Sequence, residues 1–354
     1  MVTILDVISR TKSKYEKIID NVESLFSFEF DVKKIDEIMF IGSGSSYSSC
    51  LSTSLMCETL TGLKTSVMLP NMFISKSVYN PNCLYVFVSQ TGTSSLTIAA
   101  SEKLKDKYLT AALTGDLNSK LANACKYKYL IDCGYEEYTY ATLGFSCSMI
   151  SELLLCARIG FNNNHLSETE YKNYLNELSL VGLSNENVIV QTINWFNMHK
   201  QDLLKKDNFI FYGGRSFYGL ANEAALKIME ITKKYVCAGY EIDDGMHGPN
   251  YCFDERTALI CLDDGLDHDK AVALMNLMKN EYQSGYLISD NIMDDKDLKI
   301  SFRTSHFKNL EIISFIQVFA YLLAVEINVD IFTRDDPLLQ KTKGKGYFNM
   351  HESK

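Results

Sequence analysis

The chain has 354 residues, 46% of them hydrophobic and 22% charged, with a formal net charge of −9. Such a composition belongs to a folded globular protein of two domains and excludes long disorder, while the acidic balance excludes recognition of a phosphate backbone by counterion displacement, so no nucleic-acid partner is expected. No signal-like N-terminus and no run of about 18 apolar residues stands out, which leads us to expect a cytoplasmic protein with no membrane partner.

Ten cysteines lie scattered at positions 50, 57, 83, 125, 133, 147, 156, 237, 252 and 261 without a CxxC pair, and the six histidines form neither an HExxH nor an HxxxH pairing. Free buried thiols are expected, with no metal site and no cofactor.

In chain order, residues 5–26 place Ile8, Ile18, Ile19, Val22 and Leu25 among many charges and predict an amphipathic helix. Candidate strands follow at 37–41, 65–69, 84–88, 108–113 and 127–132, each separated from the next by a helical pattern. Near-continuous apolar strands alternating with helices predict a parallel sheet covered on both faces, whose ligands bind beyond the carboxyl ends of the strands. Two turns fall at such ends. Gly42-Ser43-Gly44-Ser45-Ser46-Tyr47 follows the first strand, and Ser89-Gln90-Thr91-Gly92-Thr93-Ser94-Ser95 follows the third. The second turn joins hydroxyls and backbone N–H groups at a strand-to-helix junction, where a helix end favours an anion and Gly92 lets the backbone come close; a phosphate suits it. A small phosphorylated ligand is therefore expected, although serine- and threonine-rich turns also occur without one.

The pattern then repeats. Phe40-Ile41-Gly42-Ser43-Gly44-Ser45-Ser46-Tyr47 parallels Phe211-Tyr212-Gly213-Gly214-Arg215-Ser216-Phe217-Tyr218, and the strand at 84–88 has its counterpart at 257–262. After the latter comes Asp263-Asp264-Gly265-Leu266-Asp267-His268-Asp269, whose four carboxylates would repel a phosphate dianion, so the second copy is expected to have lost that site. A polar, partly helical connection runs from Asn162 toward Asn187, and an apolar helix over 310–327 closes the second copy. We expect an N-terminal helix at 1–29, a phosphate-binding domain at 30–160, a connecting segment at 161–200, a second domain at 201–329 and a tail at 330–354.

These segments together resemble the double sugar-isomerase (SIS) family, which includes the isomerase half of glucosamine-6-phosphate synthase. The resemblance covers roughly residues 30–345. Ser89-Gln90-Thr91-Gly92-Thr93-Ser94 is similar to the family's phosphate turn, and Gly44-Ser45-Ser46 to the turn that completes it. Glu223-Ala224-Ala225-Leu226-Lys227-Ile228-Met229-Glu230-Ile231, followed by His247-Gly248-Pro249, resembles the signature of the second repeat. The implied fold is α/β: two tandem three-layer αβα SIS domains, each with a mainly parallel, flavodoxin-like sheet.

The resemblance also implies roles. Ser46, Ser89, Gln90, Thr91 and Ser94 would hold the phosphate, and Gly44, Ser45, Glu136 and Thr142 would face the sugar. Glu230 would be the base that moves a proton between adjacent carbons, as aldose–ketose interconversion requires. Glu223, Lys227, Glu230 and Lys234 also share one helix face, where a chain of ion pairs is the alternative. His247 would assist ring opening and would be presented to the neighbouring subunit, implying a homodimer. Lys341, in Asp336-Pro337-Leu338-Leu339-Gln340-Lys341, is similar to the family's tail lysine, and Lys343 and Lys345 compete for that role.

Departures bear on the substrate. Where the family carries Ala-Ser-Thr-Lys near the sugar, this chain has Tyr140-Ala141-Thr142-Leu143, and there is no Cys at position 2 to serve a glutaminase, which points away from glutamine-dependent synthesis. The acidic stretch from Tyr240 to His247 resembles that of fructoselysine-6-phosphate deglycase-like proteins, and its carboxylates could meet an ammonium group. The expected activity is that of a phosphosugar isomerase, an amino-sugar phosphate deaminase or a deglycase. The alternative is a non-catalytic phosphosugar sensor.

Overall fold

A computed structural model describes residues 2–138 and 140–332. They form two compact units, one built from residues 14–175 with Phe332, the other from residues 2–13 and 176–331.

The N-terminal stretch folds as α1 (Ile4–Ile8), α2 (Thr11–Asp20) and α3 (Val22–Leu25) rather than as one helix. Side chains bond to the backbone at these helix ends. Thr3 and Asp6 form a reciprocal capping box, the Ser9 hydroxyl donates to Asp6 O, Thr11 donates to Ile8 O and the Asn21 amide donates to Lys17 O.

The first unit continues with β1 (Glu37–Ile41), α4 (Ser45–Thr61), β2 (Lys64–Met68), α5 (Pro70–Ile74), β3 (Cys83–Val88), α6 (Ser95–Leu104), β4 (Leu109–Thr114), α7 (Lys120–Ala124), β5 (Tyr127–Leu130) and α8 (Leu143–Asn162). Its sheet is parallel throughout in the order β2-β1-β3-β4-β5. The all-apolar β3 is buried along its whole length because helices cover both faces. Met39, Ile41, Tyr85 and Phe87 pack toward Phe73 of α5, Ile98 of α6 and Leu121 of α7. Alternation sends Ile38 and Phe40 to the opposite face, which carries α4 and α8.

A helix of 36 residues, α9 (Glu168–Leu203), leads to β6 (Asn208–Gly213), α10 (Ser216–Thr232), β7 (Val236–Tyr240), β8 (Thr257–Leu262), α11 (His268–Glu281), β9 (Gly285–Ser289), the short β10 (Leu298–Lys299) and α12 (Lys308–Glu326). The second sheet runs β7-β6-β8-β9-β10, again all parallel, which is the strand order of the first sheet repeated. One face packs on α11 through Leu259, Cys261, Leu274, Met275 and Met278, and the other carries α10 and α12.

The duplication extends to single dihedral angles. Gly44, before α4, has φ 56° and ψ −129°; Arg215, before α10, has φ 52° and ψ −118°. Both helices span 17 residues and end on a left-handed residue, Gly62 in one and Lys233 in the other.

Leu143–Asn162 and Lys308–Glu326 are long and apolar enough to cross a membrane, whereas the sequence led us to expect no such run and to read 310–327 as an apolar helix closing the second copy. Their apolar windows are 100% and 78% buried within the protein, the pattern of core helices. Nine of the ten cysteines are buried, Cys252 is exposed, and all ten are free thiols.

Candidate active site

In the first unit the strand order reverses between β1 and β3, and at such a switch point the loops diverge to leave a crevice. Ile41 pairs in register with Phe87, so residues 42–46 and 89–94 leave the sheet from adjacent strands on the same edge. Neither segment contains a lysine or arginine. They present hydroxyls, backbone N–H groups and helix ends instead.

The loop at 89–94 is tied down on its far side. Ser89 N–H donates to Leu113 O at 3.1 Å, Gln90 O accepts from Gly115 N–H at 2.8 Å and Gly92 O accepts from Leu121 N–H at 3.1 Å. Gly92 has φ 66°, and a Cβ there would strike the Ser119 side chain, so both conformation and space require glycine. Thr91 and Thr93 hydroxyls pair at 2.8 Å, and Ser94, the N-cap of α6, accepts from the Thr97 hydroxyl at 3.1 Å. Ile98 N–H bonds back to Ser94 O at the start of α6. Ser45, Ser46 and Ser89 hydroxyls make no hydrogen bond among the described residues, as a waiting anion site requires.

Gln90, Glu136 and Thr142 are brought together. Glu136 accepts from Gln90 Nε2 at 2.7 Å, from the N–H and hydroxyl of Thr142 at 2.9 Å each, from Leu143 N–H at 2.9 Å and from Gly144 N–H at 3.0 Å. Its two oxygens thus cap α8 and clamp Gln90, which leaves it little capacity to bind a sugar hydroxyl. The clamp also orients Gln90: its amide nitrogen is committed to Glu136, so its carbonyl oxygen is the group it can still offer. Gly144 makes this possible, because a Cβ there would run into the Gln90 amide. The sequence reading missed Gly144; its signal was a glycine in a first helical turn, where propensity disfavours it.

In the second unit, Glu230 lies on α10 in a carboxylate–ammonium–carboxylate row. Lys227 is 1% exposed; it donates to Glu230, which is 38% exposed, and its Nζ lies 3.5 Å from Oε1 of the buried Glu223. Burial opposes the Lys227 charge, but the two carboxylates outweigh it and hold the pKa above the ordinary lysine value. That helix face is thus an ion-paired row whose last carboxylate is partly open to solvent.

His247 follows β7 on an exposed loop, between the short 3-10 turns Asp244–Met246 and Pro249–Cys252. The Tyr212 hydroxyl donates to Gly245 O and fixes the base of the loop. The imidazole has no hydrogen-bond partner among the described residues. Of the acids before it, Glu241 accepts the N–H groups of Asp243 and Asp244, and Asp243 is paired to Lys270 at 2.7 Å, so Asp244 alone keeps an unpaired, exposed carboxylate. Lys341 lies outside the described residues.

The counterpart of the phosphate crevice in the second unit is filled by the chain itself. The Arg215 guanidinium binds Asp264 at 3.0 Å and also Asp267, so the two carboxylates occupy the cation that an anionic ligand would seek. The sequence reading anticipated repulsion by these acids but not the arginine that holds them. The repeat alignment carried the signal, since Arg215 stands where the first copy has Gly44.

Residues 32–155 match the family described as the SIS domain. Over 339 residues the chain is 26% identical to the glutamine–fructose-6-phosphate aminotransferase (isomerizing) of Chlamydia abortus, a match that covers 91% of this chain and 54% of that protein; the chain thus spans about half the length of this curated relative. A crystal structure of a candidate phosphosugar isomerase from Clostridium difficile 630 superposes with a TM-score of 0.89 at 25% identity, covering 96% of this chain and 98% of the other. The C-terminal domain of glucosamine-fructose-6-phosphate aminotransferase from Francisella tularensis gives a TM-score of 0.82 at 19% identity over 93% and 97%, a likeness of fold.

Proposed function

We propose that the chain, whose residues 32–155 match the SIS-domain family and whose two parallel sheets share the fold of phosphosugar isomerases, is an enzyme acting on a ketose or aldose 6-phosphate derivative, as an isomerase, an amino-sugar phosphate deaminase or a deglycase. The observation that carries this reading is the pair of turns at the β1/β3 switch point, residues 43–46 and 89–94, which bring uncharged donors and no lysine or arginine of their own. Such a site suits a phosphomonoester on a small polar ligand, while a nucleotide or a polymer would call for a larger apolar or basic surface.

In this reading the hydroxyls of Ser46, Ser89, Thr91 and Ser94 and the N-terminal turn of α6 anchor the phosphate. Gln90, locked by Glu136, turns its carbonyl oxygen to a sugar hydroxyl or an amine. Glu230 moves the proton between adjacent carbons, with Lys227 stabilising its carboxylate form, and the exposed His247 passes a proton to or from the ring oxygen. The unpartnered, outward-facing imidazole supports a homodimer in which His247 serves the neighbouring subunit's site. The free carboxylate of Asp244, three residues before it, supports a substrate bearing an ammonium group.

The test is turnover of fructose 6-phosphate, glucosamine 6-phosphate and fructoselysine 6-phosphate, repeated with Glu230→Gln. Conversion of one of them that drops by about 10²–10⁴-fold in the variant, with sugar-phosphate binding retained, is the expected result. Undiminished turnover in Glu230→Gln would remove the carboxylate from the mechanism. Binding of all three without conversion would favour the sensor, a reading that the Lys227–Glu230 ion pair also fits.

A further inference from the structure

At the opposite end of the first sheet, where the strands begin, a cavity of about 450 Å³ opens between Pro81, Lys105, Lys107, Tyr108, Leu109 and Lys126. Its volume lies within the range of small-molecule sites, about 300–1,000 Å³. The strands are about 20 Å long at roughly 3.3 Å per residue, so this cavity is separate from the phosphate crevice at their carboxyl ends.

Local backbone structure places the three lysines. Lys105 ends α6, Asp106 takes a left-handed φ of 62°, and the N–H groups of Lys107 and Tyr108 both return to Leu104 O, so the two lysines flank a tight turn. Lys126 precedes β5, and its own N–H donates to the Thr110 hydroxyl at 3.1 Å, which ties this second turn to β4. β4 and β5 are paired neighbours, with Ala111 opposite Tyr127, so all three ammonium groups gather at one end of the sheet. The apolar wall is held as firmly, since the Tyr108 ring packs against Tyr79 and Tyr85 at centroid distances of 5.6 and 6.0 Å.

Lys105, Lys107 and Lys126 pair with no carboxylate among the described residues, and all three line this one cavity. The one acid in the lining, Asp106, leaves an excess of two positive charges on a protein whose formal net charge is −9. Three unneutralised ammonium groups around one cavity draw in a counter-ion of matching charge.

We infer that this cavity is a second anion site, for a small polyanion of the triphosphate type, independent of the sugar-phosphate crevice. Inorganic tripolyphosphate and a nucleoside triphosphate share that chemistry, and Pro81 and Tyr108 offer the latter an apolar surface beside the charges. The test is calorimetric titration of the full chain with tripolyphosphate and with ATP at about 50 mM salt, where surface charges are weakly screened. Each titration is run with and without saturating fructose 6-phosphate, and on the wild type and the Lys105→Ala/Lys107→Ala/Lys126→Ala variant. Wild-type binding that persists with fructose 6-phosphate present and weakens about tenfold or more in the triple variant is the expected result. Tighter binding of ATP than of tripolyphosphate would assign the site to a nucleotide, and equal binding to the polyphosphate alone. The three side chains are exposed, so the variant folds, which its thermal transition checks. No heat from either anion, or equal affinity in the triple variant, would overturn the inference. Loss of fructose 6-phosphate binding would bear on the first crevice and leave this one untouched.

Discussion

Glu152 sits midway along α8, wholly buried against α4, where its carboxyl meets the hydroxyls of Ser49 at 2.7 Å and Thr53 at 2.6 Å and the Cys50 thiol at 3.5 Å. Among the described residues no cation pairs with it. Burial pushes its pKa from 4.5 up to about 7, against the hydrogen bonds that lower it, so the folded protein takes up a proton there at a pH where the unfolded chain has lost it. Both hydroxyls also have backbone carbonyls within reach, Ser46 O for Ser49 and Ser49 O for Thr53, and can turn to those when the protonated carboxyl becomes a donor. The sign follows from linkage. Between pH 4.5 and 7 the native state binds the extra proton, so stability falls as pH rises, by about 1.4 kcal/mol per unit and on the order of 3 kcal/mol across the window. Glu152→Gln keeps the shape and the hydrogen-bonding capacity without the charge. We expect it to match the wild type near pH 4.5 and to exceed it progressively toward pH 8, where the difference in melting temperature reaches roughly 6–12 °C for a domain of this size. Thermal unfolding of both proteins from pH 4.5 to 8 measures this, and taking their difference cancels the other titrating groups. Parallel pH profiles would show that Glu152 is ionised in the native state and that the reasoning is wrong.

Gly144→Ala places a methyl where the Gln90 amide lies, so fructose 6-phosphate binding should weaken at least several-fold while the fold survives; circular dichroism and titration calorimetry separate the two effects, and unchanged binding would show that the Gln90–Glu136 clamp is dispensable. Gly92→Ala meets both a positive φ and the Ser119 side chain, and should cost about 1–3 kcal/mol of stability and abolish phosphate binding, as denaturant unfolding and the same titration would report. Asp264→Asn with Asp267→Asn frees Arg215 and should raise the number of sulfate or phosphate ions bound per chain by one, countable by calorimetry with the tripolyphosphate cavity removed by its triple-alanine variant.

The fold was legible because its signals are local. Five apolar strands at regular spacing in the first half, and a second Gly-rich strand-to-helix turn at 211–218, define two wound sheets without any long-range information. The uncharged crevice could be read for the same reason, since residues 42–46 and 89–94 are contiguous turns at strand ends. Glu136 was singled out in the sequence, but the five donors that converge on it from Gln90 and from the start of α8 were not, because that convergence depends on how two separate loops meet. Lys227 was visible only as part of a charge pattern. Its burial between Glu223 and Glu230 depends on which face of α10 turns inward, which charge periodicity alone leaves open because all three residues share that face. The cavity beneath the sheet carried no motif at all: Lys105, Lys107 and Lys126 belong to two turns that become neighbours only when β4 pairs with β5.

The two copies show how one backbone can be kept while its electrostatics reverse. Gly44 and Arg215 hold nearly the same dihedral angles, in a region that glycine enters freely and an L side chain enters at a cost of about 1–3 kcal/mol. Arginine at that position is sustained by what surrounds it: a guanidinium held by Asp264 and Asp267, which in turn sit on the loop where the first copy carries its hydroxyls. The strained arginine and the acidic loop explain each other, since either alone would leave a half-buried charge without its partner. In the second copy an anion must compete with two carboxylates already in place on the arginine. The two copies thus share one backbone turn, uncharged in the first and closed by an arginine–carboxylate cluster in the second.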